Sequence, residues 1–465
     1  MKGYEPFAAA PIERVPHQAY HLVAIASADG YHSAARRLRR SLLVVLASVA
    51  PLSSSLAQAP VQFTVSDDVA SCLKVRVRPE SSAPDLVCLA PGTPVEAVGI
   101  APYWRQIRLQ DGRTGWAAKK FLEIVAAPPV APATDDRDDA WLEVHLVDVG
   151  QGDGIWIHTF DDNMPGNGRY EGYNVIVDGG PRDPTKPLLR YVLDQAHERA
   201  LIDALIITHP HDDHYPGAEG ILNHFEVREF YDSGFLNGGD WDRFRHLVDA
   251  ERFEGHPISQ HVGRSTFGTP DWGSELQVSF LYADPGQRAG LGSAGTGTRI
   301  NNASIVFRLQ YGTQSILFMG DLEGKDRNDS ASVLKFGEKF LLDSVGPAAL
   351  HATVLKVAHH GSETSSTTRF IEAVDPHYVV VSSGRRPYGR QPNIRFLPDK
   401  ATLQRYCDHS DSTLIYRTDQ DDEAERRTAT TDADGDNIVI SMNGKETRIQ
   451  AYSGGNPITP TACVP

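Results

Sequence analysis

Within the six positions from His209 to His214 the chain places three imidazoles and two carboxylates, in the order His-Pro-His-Asp-Asp-His, directly behind the apolar run Ala204-Leu205-Ile206-Ile207. The apolar run reads as a buried strand, and the corner where such a strand turns into a loop can aim alternate side chains at one point. Imidazole nitrogen and carboxylate oxygen are the ligands that borderline cations such as Zn²⁺ take. For a lone His-x-His, a polar loop of solvated histidines is the plainer reading. Two further candidate ligand sets downstream, Asp321 and the pair His359-His360, weigh against it here.

The 465 residues are 40% hydrophobic and 23% charged, the balance of a globular chain with more than one domain. The formal charge of −15, from 60 acidic against 45 basic residues, repels polyanions, so strong nucleic-acid binding is not expected. The apolar segment Ser41–Ala50 follows Arg36, Arg37, Arg39 and Arg40 and precedes Ala57-Gln58-Ala59. It is short for a span and reads as a secretory signal, which makes residues 1–59 an N-terminal tail and signal peptide. The mature chain is then expected to begin near Pro60, to carry no transmembrane span and to be exported to the periplasm or beyond. An uncleaved anchor is the other option. In an oxidising compartment Cys72 with Cys88, and Cys407 with Cys463, suggest two local disulfides. Unpaired buried thiols are the alternative for the second pair.

Residues 60–126 carry short β runs at Leu73–Pro79, Pro94–Val98, Trp104–Leu109 and Gly115–Ala118, with a hairpin turn at Gln110–Arg113. This is the pattern of a small all-β barrel. The "LKVRVRPESSAP" opening and the "GRTGWAAKKFLE" close resemble a bacterial SH3 domain, which implies contact with cell wall or peptide or else a passive spacer, two roles the sequence does not separate. A Pro/Ala-rich stretch over 127–140 reads as a linker. From 141 to 455 strands alternate with helices, ahead of a tail at 456–465. Strands are predicted at Leu142–Val149, Gly154–His158, Asn174–Asp178, Ala204–Thr208, Leu276–Tyr282, Ser304–Leu309, Ser315–Met319, Thr353–Val357 and Tyr378–Ser382. Helices are predicted near Lys186–Arg199, Gly217–His224, Ser330–Asp343 and Thr367–Val374. Strands outnumber helices and many are hairpin-linked, so an α/β arrangement of two mixed sheets with helices outside fits best. After Thr402 two closing strands flank an acidic loop. There Asp432, Asp434 and Asp436 lack the closing acid of a calcium loop.

Five ordered landmarks span the larger domain: "LEVHLVDVGQGDGIWI", "VIVDGG", "THPHDDHYPGAEGIL", "NNASIVFRLQYGTQSILFMGDLEG" and "VLKVAHHGSETSS". Together they resemble the metallo-β-lactamase fold, and more narrowly the metallohydrolase domain of ComEC-type DNA-uptake proteins. That resemblance implies an αββα sandwich and two Zn²⁺ ions, with Mn²⁺ as the alternative. His209 and His211 would hold one metal, Asp213 and His214 the other, and Asp321 would bridge them. His360 would complete the second metal and His359 would face substrate or leaving group, although sequence order leaves the two exchangeable. Asp213 and His359 are the expected catalytic side chains. Asp178 is expected to accept from a ligand imidazole and fix its tautomer. No histidine lies between His261 and His351, where many relatives of this fold carry another ligand, so Asn302 or a water is expected beside the first metal. Asp148 and Asp153 read as structural or near the substrate, and Ser362 and Ser365 as phosphate contacts or plain surface serines.

Such a site makes hydrolysis the natural chemistry, through a hydroxide activated by the metal pair. The ComEC-like landmarks imply a phosphodiester substrate. Two alternatives stand: an exported cell-wall or peptide-binding protein with a non-catalytic scaffold, and a metallohydrolase of amides or lactams.

Overall fold

The computed structural model describes residues 62–124, 141–159, 172–196, 201–284, 291–419 and 436–462, short gaps inside those ranges aside. The signal segment, the Pro/Ala linker, Cys463, Asp432 and Asp434 lie outside the described residues.

Two mixed sheets pack face to face. The first has nine strands in the order Ser259–Val262, Glu226–Asp232, Leu201–Ile207, Asn174–Gly179, Gly154–His158, Leu142–Leu146, Ile438–Met442, Thr447–Ser453 and Asn456–Ile458. The second runs Leu276–Tyr282, Val306–Tyr311, Gln314–Phe318, Val354–Lys356, Tyr378–Val381, Leu414–Arg417 and Thr461–Ala462. Between them lies one apolar core that takes Val144, Ile157, Val175 and Ile206 from the first sheet and Phe307, Ile316 and Val354 from the second. Outside the first sheet, Pro187–Ala196, Ala218–His224 and Asp240–Ala250 cover Ile176, Leu205 and Ile207. Outside the second, Phe336–Val345, Thr368–Val374 and Lys400–His409 cover Leu317, Leu355 and Val379. With helices on one face and the partner sheet on the other, central strands are buried on both faces. That is why Leu201–Ile207 is buried from Ile202 onward without alternation, and why Ala204–Ile207 reads as an uninterrupted apolar run. Among the described residues no helix is long and apolar enough to cross a membrane.

Two predicted elements change. The helix expected from Ser330 begins at Phe336, because Lys335 reaches back to Asp326 and Asp329, at 2.7 Å each, and closes residues 326–335 into a loop. Lys400–His409, inside the region read as closing strands, is a helix whose Leu403, Tyr406 and Cys407 pack on the second sheet.

The N-terminal part is all β. Seven antiparallel strands, Gln62–Val65, Leu73–Arg76, Asp85–Leu89, Pro94–Ala101, Trp104–Arg108, Thr114–Ala118 and Leu122–Ile124, wrap a barrel-like core of Phe63, Val75, Val95, Ile107 and Ala117. Cys72, just before the strand Leu73–Arg76, is joined to Cys88 on the neighbouring strand Asp85–Leu89, with Cα atoms 5.4 Å apart.

The barrel does not hang free of the larger domain. Lys119, buried, donates to the carbonyls of Leu222 (2.8 Å) and Phe225, where the helix Ala218–His224 ends, and pairs with Glu251 at 3.0 Å. A cation at a helix C-terminus meets both the unsatisfied carbonyls and the negative end of the dipole. Beside it the fully buried Arg105 lies 3.7 Å from Glu226. Replacing Lys119 with Ala would strand two carbonyls and a carboxylate in a covered interface. The expected outcome is a loss of about 3 kcal/mol in urea unfolding, with faster proteolysis of the barrel; an unchanged midpoint would show that the clamp carries little.

Candidate metal centre

The rim where strands of both sheets end collects the polar side chains. Asp178 closes Asn174–Gly179 in the left-handed region (φ 57°). Its Oδ1 accepts from the Thr208 backbone N–H (2.8 Å), and its Oδ2 accepts from the Thr208 hydroxyl (2.7 Å) and from His214 Nδ1 (2.8 Å). Two adjacent strand ends are thereby locked together. The close approach needs glycine: a Cβ on Gly179 would sit 2.1 Å from the Ala218 nitrogen, at the start of the following helix. Asp321 follows Gln314–Phe318, and its backbone N–H donates to the Ser304 hydroxyl (2.9 Å). His359 and His360 follow Val354–Lys356 with φ of 52° and 50°. Two consecutive left-handed histidines turn the chain sharply enough to point their rings in different directions.

Three imidazoles are oriented in the same sense. His360 Nδ1 donates to the Ser382 carbonyl (2.8 Å), His214 Nδ1 donates to Asp178, and His209 Nδ1 sits 3.0 Å from the Thr208 hydroxyl and 3.3 Å from that of Ser304. Each is left with Nε2 facing the centre, as second partners of ligand imidazoles commonly arrange. His211 turns Nδ1 to within 3.1 Å of His209 Nε2.

Four overlapping groups of donor atoms could each hold a cation, with the atoms of each group within 4.8 Å of one another. His209, His211 and Asp321 form one and Asp213, His214 and His360 a second that shares no residue with it, while Asp153 joins Asp321 and His360 in a third and Asp178 and His214 in a fourth. Asp321 Oδ1 also lies 3.4 Å from His214 Nε2 and 3.5 Å from His360 Nε2, so it touches the second group as well. His214 Nε2, His360 Nε2 and Asp321 Oδ1 are buried without a hydrogen-bond partner in the protein. Buried polar atoms are rarely left so, and three converging lone pairs match what a divalent ion requires.

The electrostatics agree. Burial holds His209 well below the usual imidazole range and also lowers His211, so both stay neutral. Burial works against a charge on His214 too, but the Asp321 and Asp178 carboxylates overcome it and raise that imidazole well above its ordinary value. Burial opposes ionisation of Asp321, yet His360 and His214 pull it well below the carboxylate range.

Three sequence expectations shift. The Asn302 side chain is not beside the first group: it accepts from the Gly337 N–H (2.9 Å) and donates to the Thr298 carbonyl (2.8 Å), at the end of the helix Thr296–Asn301. Asn301 faces the site in its stead, donating to Glu323 (2.8 Å) and lying 3.3 Å from His359 Nε2. Ser362 and Ser365 hold their own turn: Ser362 accepts from Arg327 (3.0 Å), and Ser365 donates to the Ala358 carbonyl (2.9 Å). Asp148 shapes a turn by accepting from the Gly150 N–H (2.9 Å), whereas Asp153 enters the centre. Asp153 pairs with buried Lys356, and its Oδ1 lies 3.5 Å from His360 Nδ1.

His359 is in none of these donor groups. Its Nδ1 is 3.0 Å from the Thr364 hydroxyl, burial lowers its pKa to about 4, and the ring lines a cavity of about 280 Å³. His211, Asp213, Asp321 and His360 share that cavity with Arg386 and Tyr388, both absent from the sequence reading. The Tyr388 hydroxyl stands 3.4 Å from Asp213. The basic stretch Arg385-Arg386-Pro387-Tyr388, soon after an apolar run and a serine pair, was the available signal.

Residues 169–385 match the model of the metallo-beta-lactamase superfamily. The chain is 28% identical over 295 residues to ComE operon protein 3 of Bacillus subtilis, covering 60% of this chain and 32% of that protein. It is 26% identical over 274 residues to competence protein ComA of Neisseria gonorrhoeae, covering 59% and 31%. It thus spans about a third of the length of these curated relatives. Among solved structures, the metallo-beta-lactamase fold protein YhfI of Bacillus subtilis aligns at 12% identity and a TM-score of 0.35, covering 60% of this chain and 96% of that one. Residues 169–385 of this chain thus form a metallo-beta-lactamase domain, similar to parts of ComE operon protein 3 and competence protein ComA.

Proposed function

We propose that the protein is an exported, metal-dependent phosphodiesterase. The observation that carries this reading is the meeting of two donor groups at Asp321, where three buried ligand atoms have no hydrogen-bond partner within the protein. His209, His211 and Asp321 would hold one ion, and Asp213, His214, His360 and Asp321 the other. A pair of divalent cations, Zn²⁺ or Mn²⁺, supplies Lewis acidity and draws the pKa of a water toward neutrality.

The remaining work falls to the chain itself. Asp178, Ser382 and Thr208 keep the Nε2 atoms on target, and Asp153 with Lys356 backs His360. Asp213, on the cavity wall, orients the attacking water, and His359 opposite is placed to hydrogen-bond the departing oxygen. A phosphodiester is favoured over an amide or lactam by the ComEC-like landmarks and by the lack of a histidine between His261 and His351. Export is supported by the Cys72–Cys88 bridge, a linkage of oxidising compartments.

Purified protein is expected to bind about two Zn²⁺ or Mn²⁺ per chain and to hydrolyse bis(p-nitrophenyl) phosphate. His211→Ala and Asp321→Ala should each lower turnover at least about 100-fold, with metal content reduced. Absence of bound metal and of turnover with any added divalent cation would leave a non-catalytic scaffold. Asp178→Asn keeps the shape but weakens the acceptor behind His214, so its metal dissociation constant should rise about 10- to 100-fold in a chelator competition. An unchanged constant would mean that Asp178 serves only the strand joint.

A further inference from the structure

We infer that Arg386 is the substrate-recognition residue of this centre, the group that holds a non-bridging oxygen of an anionic phosphoryl substrate. The inference rests on the phosphodiesterase reading and names a residue that determines which substrates the site accepts.

Four observations support it. First, Arg386 is the one arginine or lysine among the described residues lining the metal cavity, where Asp212, Asp213 and Asp321 supply negative charge. An anion entering there needs a cation beyond the metals, since the approach is otherwise acidic. Second, the Arg386 guanidinium has no hydrogen-bond or ion-pair partner among the described residues, although the side chain is half-buried. Other arginines at this rim are engaged: Arg182 pairs with Glu219, and Arg327 pairs with Asp399. Third, Arg386 is held without being neutralised. Its guanidinium carbon lies over the Tyr388 ring, 5.6 Å from the centroid, and the Tyr388 hydroxyl reaches Asp213. Stacking on an aromatic face fixes the plane of the fork and leaves its N–H groups available. Fourth, Arg386 also lines a neighbouring cavity of about 340 Å³, together with Gln151, Arg182 and Tyr215. Arg386 therefore borders both cavities, as an anion-binding side chain serving a substrate that extends from one into the other would. A planar fork of N–H donors suits two oxygens on one phosphorus.

The test compares wild type, Arg386→Ala and Arg386→Lys, each loaded with metal, on bis(p-nitrophenyl) phosphate with inorganic phosphate as competitor. Arg386→Ala is expected to raise KM roughly 10- to 100-fold, with a smaller change in kcat, and to weaken inhibition by inorganic phosphate in parallel. Metal content per chain should match wild type. Arg386→Lys, which keeps the charge but loses the fork, should recover part of the KM loss. KM and phosphate inhibition within twofold of wild type in the Ala variant would overturn the assignment while leaving the hydrolase reading intact. A fall in metal content, or a kcat loss that lysine does not relieve, would overturn it in favour of a structural role. A metal-loaded wild type that turns over no phosphodiester would overturn both readings.

Discussion

The structure depends on a charge problem at the rim of two sheets. Asp153, Asp178 and Asp321 are almost wholly buried, Asp213 nearly so, and all four lie within 4 Å of an imidazole of His209, His214 or His360. Buried carboxylates cost several kcal/mol each unless they are paired. Lys356 answers Asp153, but no lysine or arginine bonds Asp321 among the described residues. Without a cation the positive charge falls on His214, whose imidazole is raised well above its ordinary value even though burial works against it. Two divalent ions would meet the same demand and would use the Nε2 atoms of His214 and His360 and the Asp321 oxygen that the protein leaves without a hydrogen bond.

Holding such a cluster in place requires backbone that would otherwise relax. Asp178, His359 and His360 all sit in the left-handed region, at roughly 1–3 kcal/mol each for residues other than glycine. The packed layers on both sides of each strand supply that stability, because every ligand follows a strand buried on both faces. The N-terminal barrel extends the same solid body. Its Lys119 ends the helix Ala218–His224, whose start abuts the Gly179 strand end beside Asp178. Lys119 and Arg105 thus join the barrel to the larger domain through buried polar contacts.

Much of the fold was legible because its strands are apolar runs of ordinary length punctuated by glycine, and Gly154–His158 and Leu276–Tyr282 fall where the pattern places them. Glu226–Asp232 was missed because Glu226, Arg228 and Glu229 interrupt its apolar residues; part of that charge is used internally, in the Arg105 and Arg228 pairs. In the site, dense motifs directly behind strands marked the donor residues. What the sequence hid was direction. Asn301 and Asn302 are neighbours, and only the turn that ends the helix decides which amide faces the centre. Lys356 sits inside an apolar run and reads as a strand residue, although its ammonium is buried against Asp153. Arg386 belongs to no motif, and its place on the cavity wall follows from a strand end far from the histidines in sequence. Lys119 reads as surface charge until the packing of two units buries it.

The central claim is that Asp321 joins two metal sites built on the two donor groups. Anomalous diffraction from crystals grown with Zn²⁺ tests it most directly. The expected result is two peaks about 3.5–4 Å apart, one beside His209 and His211 and the other beside Asp213, His214 and His360, with the Asp321 carboxylate between them. Zn²⁺-soaked crystals with no peak at these residues, or with a single peak that Asp321 does not touch, would contradict it.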